Sequence, residues 1–103
     1  MVNWDRISEL RDEVGEDDLS EVLALFCEEV EEVLEELPGA EPSSLRGHLH
    51  FLKGSALNIG LVEVSNLCRD EELKLAADPG NAPRIDAIRS AYETARNDLR
   101  ELL

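Results

Sequence analysis

Positive charge is scarce in this sequence. Ten Lys and Arg stand against 24 Asp and Glu in 103 residues, a formal net charge of −14. A surface of that sign repels phosphate backbones and anionic lipid, which excludes nucleic acid and an acidic membrane surface as partners. Aromatic residues are few: Trp4, Phe26, Phe51 and Tyr92. The core must therefore come from Leu, Val, Ile and Ala, a composition suited to helix packed on helix. Only two cysteines occur, Cys27 and Cys68, each on an apolar helical stripe, and both read as reduced core thiols. No apolar run approaches the ~18 residues of a membrane span and no signal peptide is evident, so the reading is a soluble, cytoplasmic chain.

Chemical motifs are missing too. There is no Cys-x-x-Cys and no His-Glu-x-x-His, so no zinc ligand set and no metal site is expected. A di-iron bundle wants Glu three residues before His, but Leu45 and Gly47 occupy those places before His48 and His50. No phosphate-binding Gly-rich loop is present, and no Ser sits in a strand–turn–helix elbow.

What is present is helical periodicity from end to end. Trp4, Ile7, Leu10 and Val14 mark a short first helix over 4–14, ended by Gly15. A second, over 18–37, carries Leu19, Val22, Leu23, Phe26, Val30, Val33, Leu34 and Leu37 on one face. Its other face, Glu28, Glu29, Glu31, Glu32, Glu35 and Glu36, reads as a solvated surface. Pro38-Gly39 stops it. A third helix runs over 43–58, led by Pro42 and ended near Asn58 and Gly60. A fourth, over 62–76, buries Val64, Leu67, Cys68 and Leu75. Asp78-Pro79-Gly80 reads as a turn. Asn81 reads as the N-cap of a last helix over 82–102, with Pro83 in its first turn and Ile85, Ile88, Tyr92, Ala95, Leu99 and Leu102 inward. No segment alternates like a strand. The expected fold is all-α: a single domain over 1–103, an antiparallel up-down four-helix bundle preceded by a short helix.

One stretch stands apart, His50-Phe51-Leu52-Lys53-Gly54-Ser55. With His50 at 0° on a helical wheel, Leu45, Leu49, Leu52, Ala56 and Ile59 fall between about 180° and 260° and face the core. His50 points to solvent. Arg46, Gly47, Lys53, Gly54 and Leu57 lie within about 60° of it. A mid-helix glycine costs about 1 kcal/mol relative to alanine, so two flanking one histidine imply that something must come close. His48 lies about 160° away and reads as a structural histidine. Acids avoid the region. None falls between Glu41 and Glu63, where an even spread would place about five. Such a clearing suits a site that itself becomes negative, or that docks an acidic partner. An imidazole is substantially neutral near pH 7, and its free nitrogen is a nucleophile that a phosphoryl group could occupy.

The run from His50 to Gly60 resembles the signature of histidine-containing phosphotransfer (HPt) domains: His-x-Leu-Lys-Gly followed by two small residues, with a glycine ten positions after the histidine. The similarity continues into Leu67-Cys68 and Glu72, where the family often shows Leu-Cys-x-x-Leu-Glu; Glu71 departs from the usual leucine. Trp4, Gly15 and Phe26 extend it loosely to the front, so most of the chain is covered.

The resemblance implies that His50 accepts a phosphoryl group from a receiver aspartate and donates it to another. It implies that Lys53 stabilises the phosphoryl charge, that Gly54 leaves room for the receiver, and that Glu72 orients the imidazole. Counting from Gly60 at about 1.5 Å per residue, two antiparallel helices bring His50 and Glu72 to similar heights. Arg46, Gly47 and Leu57 are the further docking candidates. The expected partners are receiver domains of response regulators or of a hybrid histidine kinase. The chain would act as a monomeric, stoichiometric carrier without an ATP site or cofactor, Mg²⁺ sitting on the receiver. The alternative is a receiver-binding module that does not transfer. A histidine-kinase dimerisation domain is disfavoured, because Phe51 rather than an acid follows the histidine and no proline comes before Pro79.

Overall fold

The computed structural model describes residues 1–103. Five α-helices follow one another: α1 Trp4–Val14, α2 Glu16–Glu36, α3 Pro42–Asn58, α4 Val62–Ala77 and α5 Ile85–Asp98. Single 3₁₀ turns, Leu37–Gly39 and Arg100–Leu102, follow α2 and α5. Short connections force consecutive helices to run antiparallel. Helices α2 to α5 close into a four-helix bundle, α2 touching both α3 and α5, while α1 packs on α2. The body is elongated, 44 × 21 × 20 Å.

Local chemistry sets the boundaries. The Asn3 side chain accepts from the backbone N–H of Arg6 at 3.3 Å and starts α1. Gly15, at φ 88°, ends α1 and also precedes α2. Because one residue serves both helices, α2 begins at Glu16, two residues before the predicted start. Glu16, Asp17 and Asp18 then occupy its first turn, where acids suit the helix dipole. The last helix begins later than the sequence suggests. Asn81 is not its cap and Pro83 is not in its first turn; α5 starts at Ile85, after Arg84. It ends at Asp98, with Leu99 linking it to the final 3₁₀ turn.

The α3–α4 turn matters most for the site. The N–H of Gly60 donates to the carbonyl of Leu57 at 3.3 Å, and that of Leu61 to Ala56 at 2.8 Å, the paired bonds of a Schellman ending. Gly60 has φ 74°, and a Cβ there would stand 2.8 Å from the carbonyl oxygen of Asn3. The glycine is thus needed twice over, for its conformation and for the close approach of the N-terminal segment. Asn3 donates its N–H to the Gly60 carbonyl at 2.7 Å, Val2 bridges to Leu61, and Arg6 donates to the Asn58 carbonyl at 2.8 Å.

Twenty-three apolar residues form one buried cluster, with Leu23, Leu49, Leu52, Ala56, Ile59, Val64, Cys68, Ile88 and Leu99 fully enclosed. Both cysteines are free and buried. Burial, aided by the nearby carboxylates of Glu72 and Glu71, pushes the Cys68 thiol up to about 12. Tyr92 of α5 donates its hydroxyl to Glu31 of α2 at 2.5 Å, and Arg96 pairs with the same carboxylate at 3.0 Å. Trp4 departs from the predicted stripe and is half exposed, while Val2 takes a buried place beside Leu61. Leu67 is only half-buried. Glu71 is the opposite case, a carboxylate 1% exposed on the inner side of α4.

Candidate functional site

The site is built across α3 and α4. Ser55 and Ala56 on α3, and Val64 and Ser65 on α4, are all buried. Such small side chains allow a close helix pair, and α3 with α4 is the most extensively packed pair in the molecule. Glu72 of α4 thereby comes level with His50 of α3. Its Oε2 lies 3.2 Å from His50 Nδ1, and its Oε1 lies 3.0 Å from Lys53 Nζ. One carboxylate therefore spans the imidazole and the lysine one turn on. Burial works against the charged form of Glu72, but the Lys53 ammonium beside one oxygen and the His50 contact at the other outweigh it and hold its carboxyl below the ordinary range. A carboxylate only accepts, so His50 must donate from Nδ1. In the neutral ring this places the proton on Nδ1 and the lone pair on Nε2.

The ring stands in the open, its side chain 70% exposed. None of the three surface recesses is lined by His50, Lys53 or Glu72. The imidazole projects from a helix face, an arrangement accessible to a protein partner. Gly47 and Gly54 lie exposed in the same helix, and a Cβ at either would meet nothing within 4 Å. Nothing within this fold requires glycine at those two positions. Arg46 and Leu57 are exposed, Leu57 by 59%.

His48 is separate. Its Nε2 lies 3.5 Å from Glu36 Oε2 of α2, and its side chain is largely covered. Two features escaped the sequence reading. Lys53 is already paired with Glu72, which only the α3–α4 register reveals. Leu73, next to Glu72, is 62% exposed; its only signal in the sequence is a leucine outside the inward α4 positions. No group of three or more His, Cys, Asp and Glu is placed to hold a metal ion. No helix is long and apolar enough to cross a membrane.

Fold and site together define a class, an all-α bundle that offers a braced, outward imidazole. A family model for the Hpt domain matches residues 21–98. That is most of the chain, and the protein belongs to the Hpt domain family. It is also similar to histidine-containing phosphotransfer protein 1 of Oryza sativa subsp. japonica, at 27% identity over 108 residues, covering 97% of this chain and 74% of the relative. No solved structure matches. The family places the chain in histidine phosphotransfer within a phosphorelay.

Proposed function

We propose that His50 is the phosphoacceptor and that the chain shuttles phosphoryl groups between receiver-domain aspartates. The observation that carries this reading is the Nδ1–Glu72 contact at 3.2 Å on a ring otherwise open to solvent. It directs the nucleophilic lone pair outward, on Nε2. Attack by Nε2 on an aspartyl phosphate forms the N–P bond as the P–O bond breaks, and the electron pair leaves with the aspartate carboxylate. Donation to a second receiver runs the same steps in reverse.

Lys53, beside the ring, offsets the roughly two negative charges a phosphoryl group brings. Gly54 and Gly47 leave the face low enough for a receiver to approach, and Arg46 and Leu57 meet its surface. The carrier works stoichiometrically as a monomer, and Mg²⁺ is supplied by the receiver. The test is incubation with a phosphorylated receiver. The wild-type chain takes up acid-labile, base-stable label and His50→Gln takes up none. Label on His50→Gln overturns the assignment, and receiver binding without label on the wild type shows a docking module instead.

A further inference from the structure

We propose that the Glu72 carboxylate, 3.2 Å from His50 Nδ1, keeps the phosphorylated ring protonated and so makes His50 a fast phosphoryl donor. The inference deepens the phosphoacceptor reading and rests on it. When Nε2 forms its bond to phosphorus, the proton on Nδ1 stays in place. The product is a phosphoimidazolium, positively charged on the ring. From this form the N–P bond breaks with neutral imidazole as the leaving group, and a receiver aspartate or water takes the phosphoryl. Once Nδ1 loses its proton, the same bond must release an imidazolide anion, and transfer slows. An ordinary imidazole titrates near pH 6.5. A phosphorylated ring with no partner on Nδ1 would therefore shed the proton across the neutral range.

Glu72 opposes that loss. An opposite charge within about 4–6 Å favours the charged form by roughly one to three pH units. The carboxylate is shared in the resting protein, because Lys53 holds the other oxygen at 3.0 Å. An incoming phosphoryl group attracts that lysine more strongly than one carboxylate does, since it carries about two charges. As Lys53 turns to the phosphoryl group, Glu72 is left to the imidazolium. One carboxylate thus serves two cations in succession.

The other charges around the ring are committed elsewhere. On α4, Glu71 pairs with Lys74 and Arg84, and Arg69 pairs with Asp70. Glu36 of α2 lies 3.5 Å from His48 Nε2. Arg46, on the exposed face of α3, is the remaining cation there.

Phosphoramidate, a small donor that releases ammonia on transfer, allows a test without a receiver. Wild type, Glu72→Gln and Glu72→Asp are phosphorylated with it, checked for helical content by circular dichroism, and titrated by ³¹P NMR. The phosphohistidine midpoint is expected about one pH unit lower in Glu72→Gln, with Glu72→Asp nearer to wild type because it retains the charge. Loss of phosphoryl at about pH 8 should be up to about tenfold slower in Glu72→Gln, a one-unit shift read above both midpoints. If all three chains label and their midpoints coincide, the charge of Glu72 has no such role and this inference alone falls. If the wild type takes up no phosphoryl on His50, the phosphoacceptor reading falls and carries this one with it.

Discussion

Glu71 and Glu72 are neighbours in sequence, about 100° apart around α4, and they meet different partners. Glu72 reaches His50 and Lys53 on the open face. Glu71 points inward, where its carboxylate meets Lys74 at 3.0 Å, Arg84 Nε at 3.0 Å and the backbone N–H of Arg84 at 3.3 Å. One carboxylate belongs to the site and the other ties the approach to α5 against α4.

Glu71→Ala is expected to destabilise the fold by about 1–2 kcal/mol, because it leaves a backbone donor and two cations without their acceptor. The loss stays below that of a fully buried pair because Lys74 and Arg84 are half exposed and can turn to water. Urea unfolding measures it, and label uptake by the folded variant should match wild type.

Acid should weaken the protein through these same groups. Burial raises the Glu71 carboxyl, yet hydrogen bonds from Lys74 and Arg84 more than offset this and hold it below its ordinary value, as Lys53 and His50 do for Glu72. Unfolded, both titrate near the usual glutamate value of about 4.3. The unfolded state therefore binds more protons in this window, and stability rises with pH through it. The contribution is complete above the unfolded value and disappears as pH falls through the lower folded values. Urea midpoints measured from about pH 6 to about pH 3 should decline, and less steeply in Glu71→Gln.

Lys53→Ala should slow transfer from a phosphorylated receiver by about tenfold while changing stability by less than ~1 kcal/mol. The first figure is that of a partly exposed charge stabiliser, smaller than for an enclosed one. The second reflects the small worth of ion pairs near the surface. Single-turnover transfer and urea unfolding, run on the same preparation, separate the two.

Gly54 should behave in the reverse sense. Open space surrounds its missing Cβ, so Gly54→Ala gains up to about 1 kcal/mol of helix stability. Gly54→Gln keeps much of that gain but places a long side chain one turn from His50. It should unfold at higher urea than wild type and accept label from a receiver at least tenfold more slowly, a size of loss consistent with misplacing the reacting atoms. Equal transfer rates would show that receiver approach does not use this space.

Much of the architecture was legible because it depends on local spacing. The stripe Leu45, Leu49, Leu52, Ala56, Ile59 is buried as a unit, and Gly60 ends α3 by a rule that reads directly from sequence. The start of α5 was not legible, because the N–H of Arg84 is bound by Glu71 on another helix. No inspection of Asn81, Pro83 and Arg84 alone could reveal that acceptor. Trp4 was misplaced for a similar reason: the N-terminal segment buries Val2 against the α3–α4 turn and leaves the indole half exposed. At the site, the open helix face around His50 follows from a wheel. The level of Glu72 with His50 follows from counting residues to either side of Gly60, whereas its second contact, with Lys53, shows only in the register of the packed helix pair.

The Gly60 turn gives that register a further meaning. His50 and Glu72 face each other because each sits a set number of residues from the same bend, so spacing is as much a part of the site as the side chains. One residue inserted between His50 and Gly60 would rotate the histidine by about 100° relative to the bend and break the pairing with every side chain of the site still present. The same insertion in the Asp78–Pro83 segment would move neither partner. Length variation in this chain should therefore be tolerated on one side of α4 and forbidden on the other.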